Sequence, residues 1–235
     1  MDKTGGIYQM KNLLQIVMTH KDALPTVRRH YNIWRNISKD IILTSPVDSG
    51  MEIKDSDDFN QHFIGEAEHN GEKSAQRIIK IFEFALEQRW EYLLLNEYDS
   101  FALSLPDDVM PEPGGVSAAK YKQNKPIKFK GKFYLHYPML FSREGMHRTY
   151  TMLDQVKTND RYFSDRFIGR AVEMAKVPVR NLLKNKRAFS KNTIKPEHYG
   201  KLKQAVKDRA LFFHGVKNLE TLSHIFEIPK IEPIK

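Results

Sequence analysis

The chain has 235 residues, 40% of them hydrophobic and 29% charged, and carries a formal charge of +9. That composition suits one soluble globular domain with a sizeable core, and the excess of Lys and Arg points to an anionic partner: nucleic acid, nucleotide or membrane surface. The absence of cysteine excludes disulfides and thiolate metal sites, no apolar run is long enough to cross a bilayer, and Met1 to Tyr8 has no secretory h-region, so a cytoplasmic location is expected.

Leu13 to Met18 reads as a buried strand that ends at Thr19 and His20. Leu24, Val27, Tyr31 and Trp34 then recur at helical spacing, with Pro25 where a first turn tolerates it. Ile41 to Leu43 forms a second apolar run, followed by Thr44-Ser45-Pro46 and a polar loop through Asp58. Residues 72 to 90 give the clearest helix, with Ala75, Ile78, Ile79, Phe82 and Leu86 on one face. That helix leads into Tyr92 to Asn96, a short apolar run that stops at two carboxylates, Glu97 and Asp99. Alternation of strand and helix predicts an α/β fold built on a parallel sheet with right-handed crossovers. Open sheets of this kind bind ligands at the carboxyl ends of their strands. Glu97 and Asp99 stand there as hard oxygen ligands suited to magnesium or manganese. An acid-x-acid in a loop is also the composition of an ordinary solvated turn.

After Asp99 the texture changes. Pro106 to Gly115 holds three prolines and two glycines and reads as an irregular loop long enough to be functional. Lys120 to Lys132 contains six lysines and no acid. Phe133 to Tyr137 reads as a strand ending at Pro138, and helical spacing returns at Phe167, Ile168, Ala171, Val172 and Ala175. Lys176 to Lys207 carries ten Lys or Arg against one acid, Glu197. Ala210 to Phe213 reads as a last strand, ending in His214-Gly215-Val216-Lys217. A short helix follows, with Leu219, Leu222, Ile225 and Phe226 on its face.

A nucleotide-type α/β half, the acid-x-acid Glu97-Tyr98-Asp99 and the late His214-Gly215-Val216-Lys217 together resemble a glycosyltransferase of the GT-A fold. The resemblance implies a single domain over residues 1–235, with 11–105 as the nucleotide-sugar-binding half and 106–235 as the acceptor half. It implies that Glu97 and Asp99 hold Mn2+ or Mg2+ on the diphosphate of a UDP-sugar, Glu97 replacing the more usual first Asp. It further implies that His214 completes the metal shell and that Lys217 contacts the diphosphate. Thr19 and His20 stand where related folds meet the nucleotide base, and a capped helix entry is the other reading. Asp48 is placed to contact base or ribose, or serves only its turn. Arg77, one to two turns into the long helix, is placed to reach the diphosphate.

Inverting members of that fold use an acid near the position of Asp165 to deprotonate the acceptor hydroxyl. Asp165 also stands where a helix N-cap is needed, and a His-Gly-x-Lys ending is reminiscent of some retaining members, so the stereochemical course stays open. Two basic stretches, 120–132 and 176–207, are interleaved with Tyr121, Phe129, Phe133, Phe189 and Tyr199. Lysines contact phosphates and aromatics stack bases, which makes Lys128, Lys130, Lys184, Lys186 and Arg187 candidates for binding DNA. Some viral enzymes of glycosyltransferase type modify 5-hydroxymethylated pyrimidines in DNA, and a bacteriophage or bacterial enzyme of that class fits this small basic chain. The competing expectations are transfer to a surface polysaccharide or lipid-linked glycan, a nucleotidyltransferase, and a DNA-binding module without catalysis.

Overall fold

The computed structural model describes residues 12–20, 23–47, 60–65, 72–122, 132–156 and 163–226. In chain order these form β1 (Leu13–Met18), α1 (Leu24–Ile37), β2 (Ile41–Ser45), β3 (Gln61–Phe63), α2 (Glu72–Glu87), β4 (Tyr92–Glu97), β5 (Ser100–Ala102), β6 (Val116–Lys122) and β7 (Phe133–Ser142). The chain continues through α3 (Arg143–Leu153), α4 (Ser164–Met174), β8 (Val179–Asn181), β9 (Ala188–Ser190), α5 (Tyr199–Lys207), β10 (Phe212–His214) and α6 (Leu219–Phe226). Seven strands make one sheet in the order β3-β2-β1-β4-β7-β6-β8. Three more make a small sheet, β5-β10-β9, which packs against β4, β6 and β7.

The expected α/β class holds, with a mostly parallel sheet. β3, β2, β1 and β4 run parallel, while β7 is antiparallel to both β4 and β6. β1 is buried along its whole length because both its faces are covered, which is why it reads as an apolar run broken only by Gln15. Leu14, Ile16, Leu93 and Leu95 pack with Ile78, Phe82, Phe167 and Val172. On the opposite face, Val17 packs with Trp34, Phe101 and Phe213. The chain leaves β1 towards β2 on one side and returns to β4 on the other. The connections at their carboxyl ends therefore part in opposite directions, and a crevice opens between them.

Several elements depart from the sequence expectation. β7 does not stop at Pro138 but runs on to Ser142. Its pairing with β4 ends at Leu95–Met139, and its pairing with β6 shifts register opposite this point, so no ladder bond is asked of the missing proline N–H. The first half of β7 thus projects past the end of β4. The loop 106–115 holds a 3-10 turn at Asp107–Val109, anchored by buried Val109. α2 ends at Glu87, short of residue 90, where the indole N–H of Trp90 folds back onto the Ala85 carbonyl. α5 lies inside the second basic stretch and buries only Leu202, too little periodicity to announce a helix.

Gly215 links β10 to Val216 in the left-handed region, with φ of +85°. A Cβ there would lie 2.1 Å from the Lys191 carbonyl oxygen. Gly215→Ala should therefore cost about 1–3 kcal/mol in unfolding free energy, read from a denaturant melt. An unchanged midpoint would show that this link has another path open to it.

Candidate metal and donor site

The site begins with a four-residue turn. β4 ends at Glu97, and the Ser100 hydroxyl accepts the Glu97 N–H at 2.9 Å while donating to the Glu97 carbonyl at 3.0 Å. Tyr98 N–H donates to Met18 O at 3.0 Å, which ties the turn to the end of β1. Two α1 side chains one helical turn apart hold it from below. His30 Nδ1 donates to the Tyr98 carbonyl at 2.9 Å, and the Trp34 indole N–H donates to the Ser100 carbonyl at 2.9 Å. Burial pushes His30 down to about 4, so it stays neutral. His30 was not anticipated from the sequence.

Register in the small sheet brings the late histidine to the turn. β10 pairs His214 with Ser100 on one side and with Ser190 of β9 on the other. His214 Nε2 lies 3.4 Å from Glu97 Oε2 and 3.8 Å from Asp99 Oδ1. Lys217 Nζ lies 3.6 Å from Asp99 Oδ2, and the Val216 N–H donates to the Asp99 carbonyl at 2.9 Å. Asp99 is only 3% exposed, and its Oδ1 accepts no hydrogen bond. Burial raises the Asp99 carboxyl above the usual carboxylate range, against the pull of His214 and Lys217. Burial alone would lower His214, but the Glu97 and Asp99 carboxylates outweigh it and raise it.

One ligand atom each from Glu97, Asp99 and His214 falls within 4.8 Å of the others. Two ligands of one octahedral ion at about 2.1 Å stand roughly 3–4 Å apart, a span that the His214 distances match. The buried, unsatisfied Asp99 oxygen is what a cation would complete. Two carboxylates and an imidazole suit Mg2+ or Mn2+ with positions left for phosphate oxygens and water. These residues fit such an ion.

The cluster opens into a cavity of about 280 Å³ whose lining includes Thr19, His20, Arg77, Tyr98, Asp165 and Lys217. Thr19 Oγ1 donates to the Thr44 carbonyl at 3.1 Å and meets Ser45 Oγ at 2.9 Å. Nor does it cap α1: the N-cap is Ala23 without a side-chain bond. The His20 ring stands edge-on to Tyr98, with centroids 4.5 Å apart. Arg77 was expected to reach a diphosphate; its guanidinium donates to the carbonyls of Thr19 at 3.0 Å and Thr44 at 2.8 Å. It braces the ends of β1 and β2 from within the cavity wall. Asp48, Lys128 and Lys130 lie outside the described residues.

The basic stretch 176–207 is less uniform than its composition. Lys184 is exposed. Lys186 lies 3.6 Å from Asp208, and Arg187 grips the Asp108 carboxylate and the Arg209 carbonyl, so its guanidinium serves the fold. Phe189 is buried in the core and offers no face for stacking.

Asp165 enters the cavity without capping α4, whose N-cap is Phe163 with no side-chain bond. Its Oδ1 accepts from the Arg166 N–H at 2.8 Å. Its Oδ2 lies 3.5 Å from His136 Nε2. Burial and the nearby Glu97 push Asp165 up to about 6. Burial pushes His136 down to about 3, so it is neutral. Ser190 Oγ sits between His136 Nδ1 at 2.7 Å and His214 Nδ1 at 3.2 Å. Ser164 Oγ donates to Glu97 Oε1 at 3.2 Å. His136 and Ser190 escaped the sequence reading. The one signal was a polar residue at alternate positions of the Phe133–Tyr137 run, where Tyr134 and His136 share a face.

Asp99→Asn keeps the shape of the side chain and removes its charge. It should weaken manganese binding by roughly a hundredfold or more, since even outer-shell changes cost about 10- to 100-fold. Titration calorimetry of the metal alone checks this, and an affinity equal to wild type would remove Asp99 from the site. By sequence, neither a family model nor a curated protein matches the chain.

Proposed function

We propose that the protein is a divalent-metal-dependent glycosyltransferase of the GT-A type, moving a sugar from a UDP-sugar to a hydroxyl acceptor. One observation carries the reading. Glu97, Asp99 and His214 meet at the carboxyl end of β4, beside the crevice between β1 and β4, with Lys217 next to them. A parallel sheet crevice is where nucleotides bind in open α/β folds.

Glu97, Asp99 and His214 would hold a divalent ion, which would supply positive charge against the leaving diphosphate. The chain's own residues do the rest. Lys217 stands where it can follow the diphosphate as negative charge grows on the leaving oxygen. Thr19 and His20, at the end of β1, form the floor against which the uracil ring rests. Asp165 takes the proton of the acceptor hydroxyl as the acceptor oxygen bonds to the anomeric carbon. The bond from that carbon to the diphosphate breaks, and its electron pair leaves with UDP. A carboxylate acting as base in this way supports single displacement with inversion. The acceptor in this reading is 5-hydroxymethylpyrimidine in DNA, supported by the +9 charge and the exposed lysines of 176–207.

Proton acceptance requires the ionised carboxylate, so transfer should fall as the pH drops through about 6. Asp165→Asn should abolish transfer at every pH while leaving manganese-dependent UDP binding at the wild-type value. A variant that still transfers at the wild-type rate would take Asp165 out of the reaction. Sugar incorporation into hydroxymethylcytosine and hydroxymethyluracil duplexes, with unmodified DNA as control, tests the acceptor. Transfer to a glycan or lipid-linked sugar, with none to modified DNA, would overturn that part.

A further inference from the structure

A second groove, of about 460 Å³, adjoins the donor cavity. His136 and Asn192 line both, so the two are neighbours across these side chains. The rings of His136 and His214 are 5.0 Å apart, which makes His136 the partition between groove and metal cluster. We propose that this groove receives the acceptor, as one unstacked nucleotide unit of a nucleic acid strand. The inference rests on the sugar-transfer reading above and adds to it the place and chemistry of the second substrate.

Three observations converge on a ring joined to an anion. The first is a prebuilt aromatic surface. The β6–β7 ladder sets Tyr121 directly opposite Tyr134, and their rings stack at 5.3 Å with an interplanar angle of 10°. His136 extends this surface, 4.7 Å from Tyr121 and 5.1 Å from Tyr134. The Tyr121 hydroxyl donates to the Ser190 carbonyl at 2.9 Å, which fixes the ring before any ligand arrives. Aromatic platforms of this kind stack bases without regard to sequence.

The second observation is charge. The described lining residues include Lys191 and Lys195 and no carboxylate. Two ammonium groups give a phosphate linkage a charge attraction that a neutral glycan ring does not share. The third is the hydrogen-bonding rim. Asn192 and Thr193 offer amide and hydroxyl groups, and His198 accepts the Lys195 N–H through Nδ1 at 3.0 Å, which leaves its proton on Nε2. That set suits the edge of a base. The volume lies within the range of ordinary ligand pockets, about 300–1,000 Å³. One nucleotide fits, and a duplex does not, so the unit must leave its stack.

The test compares a fluorescein-labelled single-stranded oligodeoxynucleotide with an abasic strand of equal length and charge, by anisotropy. Wild type should bind the base-bearing strand about 10- to 100-fold more tightly, the scale of one stacked base. Tyr134→Leu keeps an apolar side chain on β7 and should erase that preference. Thr193→Trp, which fills the groove from an exposed position, should do the same. Lys195→Ala should weaken both strands alike. Equal binding of the two strands by wild type, an undiminished preference in both groove-blocking variants, or tighter binding of a neutral hexasaccharide would overturn the proposal. Manganese–UDP calorimetry on the same proteins keeps the two readings apart. Loss of UDP binding in wild type strikes the donor assignment, while the strand comparison still decides the groove.

Discussion

Ser100 is the residue through which the site holds together. Its hydroxyl closes the turn that sets Glu97 and Asp99 apart, and its carbonyl takes the Trp34 indole N–H. Its backbone lies in register with His214. A hydroxyl both donating and accepting within one turn leaves that turn little freedom. Because α1 fastens two of its carbonyls, the position of the acids is decided by the packing of Trp34 and His30 against Phe101, not by the acids themselves. The placement of the three candidate metal ligands is therefore a by-product of apolar packing, which is stable where clustered carboxylates are not.

The electrostatic balance explains why such scaffolding is needed. Glu97, Asp99 and Asp165 converge on His214 and Lys217 in a largely buried space. Like charges at this range raise one another's pKa, and burial adds to the effect. Asp99 and Asp165 are both raised, and His214 is raised by the acids around it. A proton on His214 relieves part of the repulsion, and a divalent ion relieves more. Without α1 and the small sheet, the side chains would separate into solvent.

Much of this could be read from the sequence. β1, α2 and β4 announce themselves because unbroken burial and helical periodicity are local signals, and the acids at the end of β4 follow from them. His214 and Lys217 were legible as the residues after a last strand. What stayed hidden depends on register between distant segments. β5 and β9 have three residues each, too few for a period. Ser190 matters only because β9 pairs with β10, and His136 only because β7 runs on past its last pair with β4. Composition misled in two places. Arg187 counted as free charge yet closes on Asp108, and Phe189 counted as a stacking face yet fills the core. Arg77 has the right address at the cavity and a different partner, since two converging carbonyl ends attract a guanidinium as well as a phosphate does.

Ser190 also joins the candidate metal ligands to Asp165, through His214 and His136. One hydroxyl has one proton, so it cannot donate to both His214 Nδ1 and His136 Nδ1. When His214 is an imidazolium, or were its Nε2 bound to a metal, its Nδ1 carries a proton and donates to Ser190. With its own proton turned to His136 Nδ1, Ser190 leaves the His136 proton on Nε2, 3.5 Å from Asp165. An N–H donor at that place favours the ionised carboxylate, against the burial that favours the acid. The direction of the chain is the same in the protonated and the metal-bound states of His214. In that arrangement Asp165 faces an N–H donor on the His136 side of the cavity.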